Sequence, residues 1–427
     1  MKPKTLTRRG VFGLVAAAVW VVTLPTTATA QADVDGLWDA VVVSNDIEIP
    51  FRFEIETNGT DARGFFFEGD RRVGSDSGRF EDGVLTLTYE HLQTTLELTL
   101  TGDELAGSYK SLRPNGRERA VRARRFQPAT LDTAGVPDVA GTWELRRNAD
   151  EATAPRDFRT LHLFLRQSGA EVSGAILRVS GDTGTLTGHW QDGTLVLSHF
   201  AGERPLLFEA SLKDDGTMAV TLNRSDNFLA ARSEDARALG IPAPPDPSRY
   251  TSVADPSVPF AFSFPDMDGN VVSNTDAQFQ DKIVLVSIGG SWCPNCHDEA
   301  PFLAELYRDY HDRGLEIVAL MFEFDEDIEV VRPMMQAFKD RYDIQYPFLF
   351  CGLTDKINEA LPQIVNFGAY PTSIYLDRNG LVRSVHAGFA SEATGEAHER
   401  LKAEHRELIE QLLAEPPTSS SAMAEPE

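Results

Sequence analysis

The first half of the chain alternates. Runs such as Leu85-Thr86-Leu87-Thr88-Tyr89 and Leu96-Glu97-Leu98-Thr99-Leu100 put an apolar residue at every second position, the period of a strand with one buried and one wet face. Asp-Gly and Asn-Gly pairs interrupt these runs, as tight hairpin turns require. Residues 33–232 read as two copies of one unit. Asp35-Gly36-Leu37-Trp38 corresponds to Ala140-Gly141-Thr142-Trp143, and Ser77-Gly78-Arg79-Phe80-Glu81-Asp82-Gly83 to Thr187-Gly188-His189-Trp190-Gln191-Asp192-Gly193. The duplication predicts two all-β units, 33–127 and 138–232, each a small barrel or sandwich of short antiparallel strands. Arg117, Arg119, Arg122, Arg124 and Arg125 read as a charged edge strand closing the first copy, with a partner-binding patch as the alternative. His162, His189 and His199 are scattered on strand-like segments and read as structural.

The pattern then changes. Residues 233–256 hold Ile241-Pro242-Ala243-Pro244-Pro245-Asp246-Pro247, the composition of a semi-rigid spacer. From 257 to 414 the order is α/β, with a hairpin expected around Asp268-Gly269-Asn270. Apolar runs at 283–288 and 315–322 suit central strands. Helical periods follow at 294–313, at 328–342 with an interruption near Pro333, and at 394–413, and a strand is expected at 346–350. Residues 353–368 read as a helical insertion, and 415–427 as a disordered tail rich in Pro and Ser.

Between the first strand and its helix lies Ser291-Trp292-Cys293-Pro294-Asn295-Cys296-His297-Asp298-Glu299-Ala300-Pro301, with two of the three cysteines of the chain. A cysteine at a helix N-terminus faces unpaired backbone N–H groups and the positive end of the macrodipole, so its thiolate forms below the free-thiol pKa of about 8.5. A second cysteine one turn on can capture a mixed disulfide, and the spacing suits dithiol–disulfide exchange. Half of a zinc site is another reading, but no second C-x-x-C or H-x-x-x-H pair exists to complete it. The string is also C-x-x-C-H, a haem attachment motif with His297 and Met321, Met334 or Met335 as axial candidates. The order of strand, dithiol and later proline argues against it. Cys351, the odd cysteine, reads as a buried, inert thiol, with a regulatory or intermolecular role as the alternative.

Trp-Cys-x-x-Cys followed by x-x-Glu-x-Pro, together with Tyr370-Pro371-Thr372 before Ser373-Ile374-Tyr375-Leu376, resembles the thioredoxin-like proteins of the TlpA/ResA type. The resemblance covers roughly residues 257–414 and implies a thioredoxin-like fold there. It implies a redox-active Cys293–Cys296 disulfide, a cis Pro371 against the cysteines, and Glu299 as the acid–base group of the dithiol. Trp292, Pro294, Asn295 and Tyr370 would line the groove for the substrate cysteine. Where thioredoxin carries a buried aspartate, six residues before the first cysteine, this chain has Ser287, so a buried acid–base role falls on Glu299.

Composition narrows the setting. Forty Lys and Arg against 65 Asp and Glu give a formal charge of −25, which repels nucleic-acid backbones. Residues 1–30 carry Lys2, Lys4, Arg8 and Arg9, an apolar run from Val11 to Leu24, and Ala28-Thr29-Ala30, the pattern of a secretory signal. Thr7-Arg8-Arg9-Gly10-Val11-Phe12 resembles a twin-arginine signal, which implies a bacterial periplasmic protein. The run leaves an uncleaved membrane anchor open. The reading is an exported thiol–disulfide oxidoreductase that needs no cofactor. By resemblance, it would reduce substrate proteins bearing disulfides and be fed by a membrane electron donor. A first rival is a cell-envelope binding or scaffold protein whose β repeats hold an unknown partner, with the dithiol accessory. A second is a peroxiredoxin-like peroxidase, against which Gly290 stands where that chemistry needs threonine or serine.

Overall fold

The computed structural model describes residues 33–416 except 114–115, 129, 132 and 149–158; the expected signal at 1–30 and nearly all of the expected tail at 415–427 lie outside the described residues. Both β units are barrels. In the first, strands from Gly36–Ser44 to Glu118–Arg125 form one antiparallel sheet, which closes when Ile47–Asn58 pairs with Asp61–Glu68, Phe53 opposite Phe66. The second closes in the same way, with Leu163 opposite Ile176. Eight strands make each ring, and a short ninth (Arg71–Gly74, Gly181–Asp182) pairs with the third as a hairpin.

The duplication extends to side chains. Trp38 Nε1 donates to Val34 O and Trp143 Nε1 to Val139 O, both at 2.9 Å. Arg125 and Arg232 stack on these indoles at 4.3 and 4.2 Å, a cation–π contact made by the last strand of each barrel. Asp82-Gly83 and Asp192-Gly193 take positive φ in matching hairpins, the backbone that type I′ turns need. Each interior is filled by apolar side chains, among them Trp38, Phe53, Phe66, Leu87 and Leu98 in the first and Trp143, Leu163, Ile176, Leu197 and Phe208 in the second.

Closure corrects one expectation. The arginine-rich strand Glu118–Arg125 is not an edge, because Gly36–Ser44 pairs with it on one side and Glu104–Ser111 on the other. Arg122 and Arg124 point outward while Val121 and Ala123 face the core, and Arg122 pairs with Glu48.

The third region is a five-stranded sheet flanked by helices. Its elements are β1 (Ile283–Gly289), α1 (Pro294–Tyr310), β2 (Leu315–Glu323), α2 (Ile328–Arg341), β3 (Phe348–Leu353), β4 (Thr372–Leu376), β5 (Val382–Ala387) and α3 (Glu396–Ala414). The sheet order is β3-β2-β1-β4-β5, parallel through β1, β2 and β3 and antiparallel at β4 and β5. β1 and β2 are buried along their whole length, as their unbroken apolar runs require. This is the thioredoxin-like α/β arrangement.

Two local expectations fail for physical reasons. Residues 353–368 hold only a 3-10 turn at Thr354–Lys356 and one helical turn at Ile357–Ala360, then Ile364–Val365 pairs with Ser252–Val253. Pro362 has no N–H and drives Leu361 out of helical φ/ψ, so the helix stops at Ala360. Conversely, Pro333 does not interrupt α2; it sits early in the helix, where it leaves only the Glu329 carbonyl without its i+4 donor.

The proline-rich segment is packed rather than free. Ile241 is buried with Ala231 and Ala236, and Tyr250 is buried with Val179, Ala369 and Ala387. From Val34 onward the chain forms one compact unit, so barrels and sheet share interfaces. Among the described residues no helix is long and apolar enough to cross a membrane.

Candidate active site

β1 ends at Gly289, and the chain turns through Gly290-Ser291-Trp292 into α1. Cys293 is the N-cap of that helix and Pro294 takes the first helical position, where a missing N–H costs nothing. Cys293 and Cys296 are joined as a disulfide, Cα atoms 5.2 Å apart. The Cys296 N–H points at Cys293 Sγ at 3.2 Å, and the N–H groups of Cys296 and His297 reach Cys293 O at 3.1 Å. The N–H aimed at the sulfur, at the positive end of the helix, favours a thiolate at Cys293 over a thiol once the disulfide is opened.

Glu299 lies one turn further along α1 and is 3% exposed. Its carboxylate accepts from Ser287 Oγ at 3.1 Å and from Ser373 Oγ at 2.7 Å. These serines face each other across the β1–β4 ladder, so the two strands together hold the carboxyl under the dithiol helix. Burial pushes its pKa up to about 7 against the opposing effect of the two hydroxyls. Ser287, which replaces the aspartate of thioredoxin, is therefore a partner of the remaining carboxyl.

The turn before Cys293 has its own buried acid. Glu323, at the end of β2, accepts from Ser291 N at 2.8 Å and Ser291 Oγ at 2.9 Å, and burial raises its pKa to about 7. Glu323 was not singled out from sequence; the signal available was an acid terminating an unbroken apolar run. His297 Nε2 meets Ser291 O at 2.9 Å and its Nδ1 meets Tyr342 Oη at 3.0 Å. Burial lowers its pKa to about 3, so the ring is neutral. With both of its nitrogens held by protein partners, His297 does not fit an axial haem ligand. Among the described residues no three His, Cys, Asp or Glu side chains gather as metal ligands.

Trp292 is half-buried: Nε1 donates to Phe322 O at 2.8 Å and its ring packs on Phe324 and Tyr370, centroids 4.6 and 5.3 Å away. The Tyr370–Pro371 bond is cis, and Pro371 O accepts from Gly388 N at 2.7 Å. A Cβ at position 290 would lie 2.5 Å from Phe322 O, which leaves no room for the threonine or serine of a peroxidatic site. Cys351 is buried within β3, and burial pushes its thiol pKa well up, consistent with an inert thiol.

Less expected is the cover over the dithiol. Cys293 is 3% and Cys296 5% exposed. From the first barrel, Arg113 reaches Trp292 O at 3.4 Å and Glu203 of the second barrel at 2.9 Å, while His91 stands against His297 with ring centroids 6.0 Å apart. From the second, Asn295 is held at both ends, donating to Ser180 O at 2.6 Å and accepting from Arg204 Nη1 at 2.6 Å. Asp298 lies between Arg71 of the first barrel at 3.6 Å and Arg204 of the second at 3.9 Å. Burial, with the nearby charge of Asp182, holds its carboxyl well above the ordinary range.

Residues 253–401 match the Redoxin family. The thioredoxin-like protein YneN of Bacillus subtilis (strain 168) is 32% identical over 127 residues, which cover 29% of this chain and 69% of that protein. The thiol-disulfide oxidoreductase ResA of Geobacillus kaustophilus (strain HTA426) is 27% identical over 148 residues, 35% of this chain and 78% of ResA. A solved thiol:disulfide interchange protein of the thioredoxin family from Chlorobium tepidum TLS superposes on 38% of this chain and 99% of its own at 24% identity, with a TM-score of 0.29. By its C-terminal domain, the chain belongs to the thioredoxin-like thiol–disulfide oxidoreductases of the redoxin family.

Proposed function

We propose that this enzyme is an exported reductant of disulfides in partner proteins, working through Cys293 and Cys296. The observation that carries the reading is the dithiol itself, seated at the N-terminus of α1 with the buried Glu299 behind it. In the reduced enzyme the Cys293 thiolate attacks one sulfur of the substrate disulfide; a Cys293–substrate bond forms as the substrate S–S bond breaks, and the departing thiolate takes up a proton. Cys296 then gives its proton to Glu299 and attacks Cys293 Sγ, breaking the Cys293–substrate bond, and the released substrate thiolate takes up a proton. The substrate leaves as a dithiol, and the two electrons it gained are those lost in forming the Cys293–Cys296 disulfide. A thiol donor restores the enzyme, and the resemblance to ResA-type proteins points to a membrane-bound one.

Glu299 suits this role because a carboxyl with a pKa of about 7 can accept and return a proton near neutrality. Trp292, Pro294, Asn295, Tyr370 and Pro371 form the groove in which the substrate cysteine is presented. Export rests on the pattern of residues 1–30. Cys293→Ser tests the chemistry: turnover of a protein disulfide should fall to background while the mixed disulfide and its resolution disappear. Retained turnover would overturn the assignment. The same variant separates the scaffold reading, since partner capture by residues 33–232 should survive it.

A further inference from the structure

The two barrels present the same hairpin to α1, and only one of them enters the groove. In the first barrel the tip is Glu68-Gly69-Asp70-Arg71, with Asp70 and Arg71 exposed. In the second it is Arg178-Val179-Ser180-Gly181, in which Val179 and Gly181 are buried. Val179 is 3% exposed and packs with Ala369, two residues before the cis Pro371, and with Ala387, which ends β5. The close approach leaves no space for side chains on either partner. A Cβ on Gly388 would lie 2.0 Å from Val179 O, and one on Gly181 would lie 2.2 Å from Asn295 Nδ2.

Polar contacts fix the tip on both sides of the dithiol. Ser180 O takes the Asn295 amide. Asp182, fully buried, receives Ser391 N at 2.5 Å and Ser391 Oγ at 2.9 Å, and Arg204 ties Asp182 O at 2.9 Å to Asn295 Oδ1. The segment is a hairpin turn that presents one apolar side chain, Val179, toward the cis-proline loop and one carboxylate, Asp182, toward the 391 turn. A substrate chain in a thioredoxin-type groove must satisfy the same surfaces.

The geometry points to residues 179–182 as an internal occupant of the substrate groove, which a partner protein must displace before its disulfide reaches Cys293. The groove accordingly selects a partner segment that reproduces those contacts: a small apolar residue followed closely by an acid. This inference rests on the thiol–disulfide reading of the site and names what competes for it.

Two variants break the same contact from opposite sides, Asp182→Asn in the barrel and Ser391→Ala in the redox domain. The full-length chain is reduced, and the rate at which Cys293 is alkylated by iodoacetamide is measured beside the rate of insulin disulfide reduction. Both variants should raise both rates at least tenfold over wild type. A synthetic peptide carrying Arg-Val-Ser-Gly-Asp should slow insulin reduction by the opened variants, and the same peptide with Asp replaced by Lys should not. If either variant leaves alkylation and insulin reduction unchanged while its melting temperature shows it folded, the tip does not gate the groove. A peptide that fails to inhibit would overturn the stated specificity. The redox reading is judged separately, by equilibrium titration of the dithiol in wild type: a chain with no reversible couple fails that reading, whereas one with a normal couple and ungated rates fails only this inference.

Discussion

The two barrels are copies in fold, in the buried tryptophan and its stacked arginine, and in the Asp-Gly hairpins, yet they meet the redox domain differently. The first touches it with charge: Arg71 near Asp298, and Asp76 with Arg341 at 3.9 Å. The second inserts a tip of small residues beside the cis proline. The first barrel's ion pairs, at 3.6 and 3.9 Å between partly exposed groups, contribute little, about 0–1 kcal/mol each. Burying Val179 is worth about 1.5–3 kcal/mol, and hydrogen bonds to a buried carboxylate such as Asp182 about 1.5–3 kcal/mol each. Duplication supplied two equal scaffolds, and a four-residue turn sets how each of them meets the redox domain.

The largest expected effect lies in the redox domain, where neither barrel holds the carboxylate of Glu299. Glu299→Gln should slow disulfide exchange by about a hundredfold and remove the inflection near pH 7 from its pH–rate profile. The same substitution should change the pH dependence of stability. A carboxyl whose folded pKa is raised contributes stability that is fully present below its unfolded value of about 4.5 and is lost as pH rises through about 7. For a shift of this size the loss is on the order of 3 kcal/mol. Melting curves from pH 4 to 9 should therefore show Glu299→Gln declining less steeply than wild type; parallel curves would mean that Glu299 is not the titrating group.

A smaller effect separates the two hairpins directly. Gly181→Val places a branched side chain at φ +122, against Asn295, and should push the second tip out of the groove at a cost of about 1–3 kcal/mol. Iodoacetamide should then reach the reduced Cys293 about tenfold faster. The smallest effect is the matched control, Asp70→Ala at the exposed tip of the first barrel, which should change stability by less than about 0.5 kcal/mol and leave alkylation untouched. Equal responses from the two tips would erase the distinction between the barrels.

What was legible in the sequence was local. Cys293, Cys296, Glu299 and Pro371 belong to short motifs whose spacing places them on a strand, a turn and a helix, and the barrels announced themselves through period-two runs repeated once. Glu323 has no such mark, because a single acid after Leu315–Phe322 reads as the polar end of a strand, and only the fold brings Ser291 onto it. The arginine strand 118–125 looked like an edge because its second neighbour, Gly36–Ser44, lies about eighty residues earlier. The turn at 179–182 reads as an ordinary hairpin, since its partners Asn295 and Ser391 lie 115 and 209 residues away. Contacts at such separation leave no periodic trace.

The most direct test of the account is the reduction potential of the Cys293–Cys296 couple, titrated in full-length protein against dithiothreitol or glutathione buffers, with free thiols counted at each equilibrium. A reductant of protein disulfides should show a reversible two-electron couple near the value of thioredoxin, about −270 mV. A couple near about −120 mV would make the enzyme a disulfide donor and contradict the proposed direction.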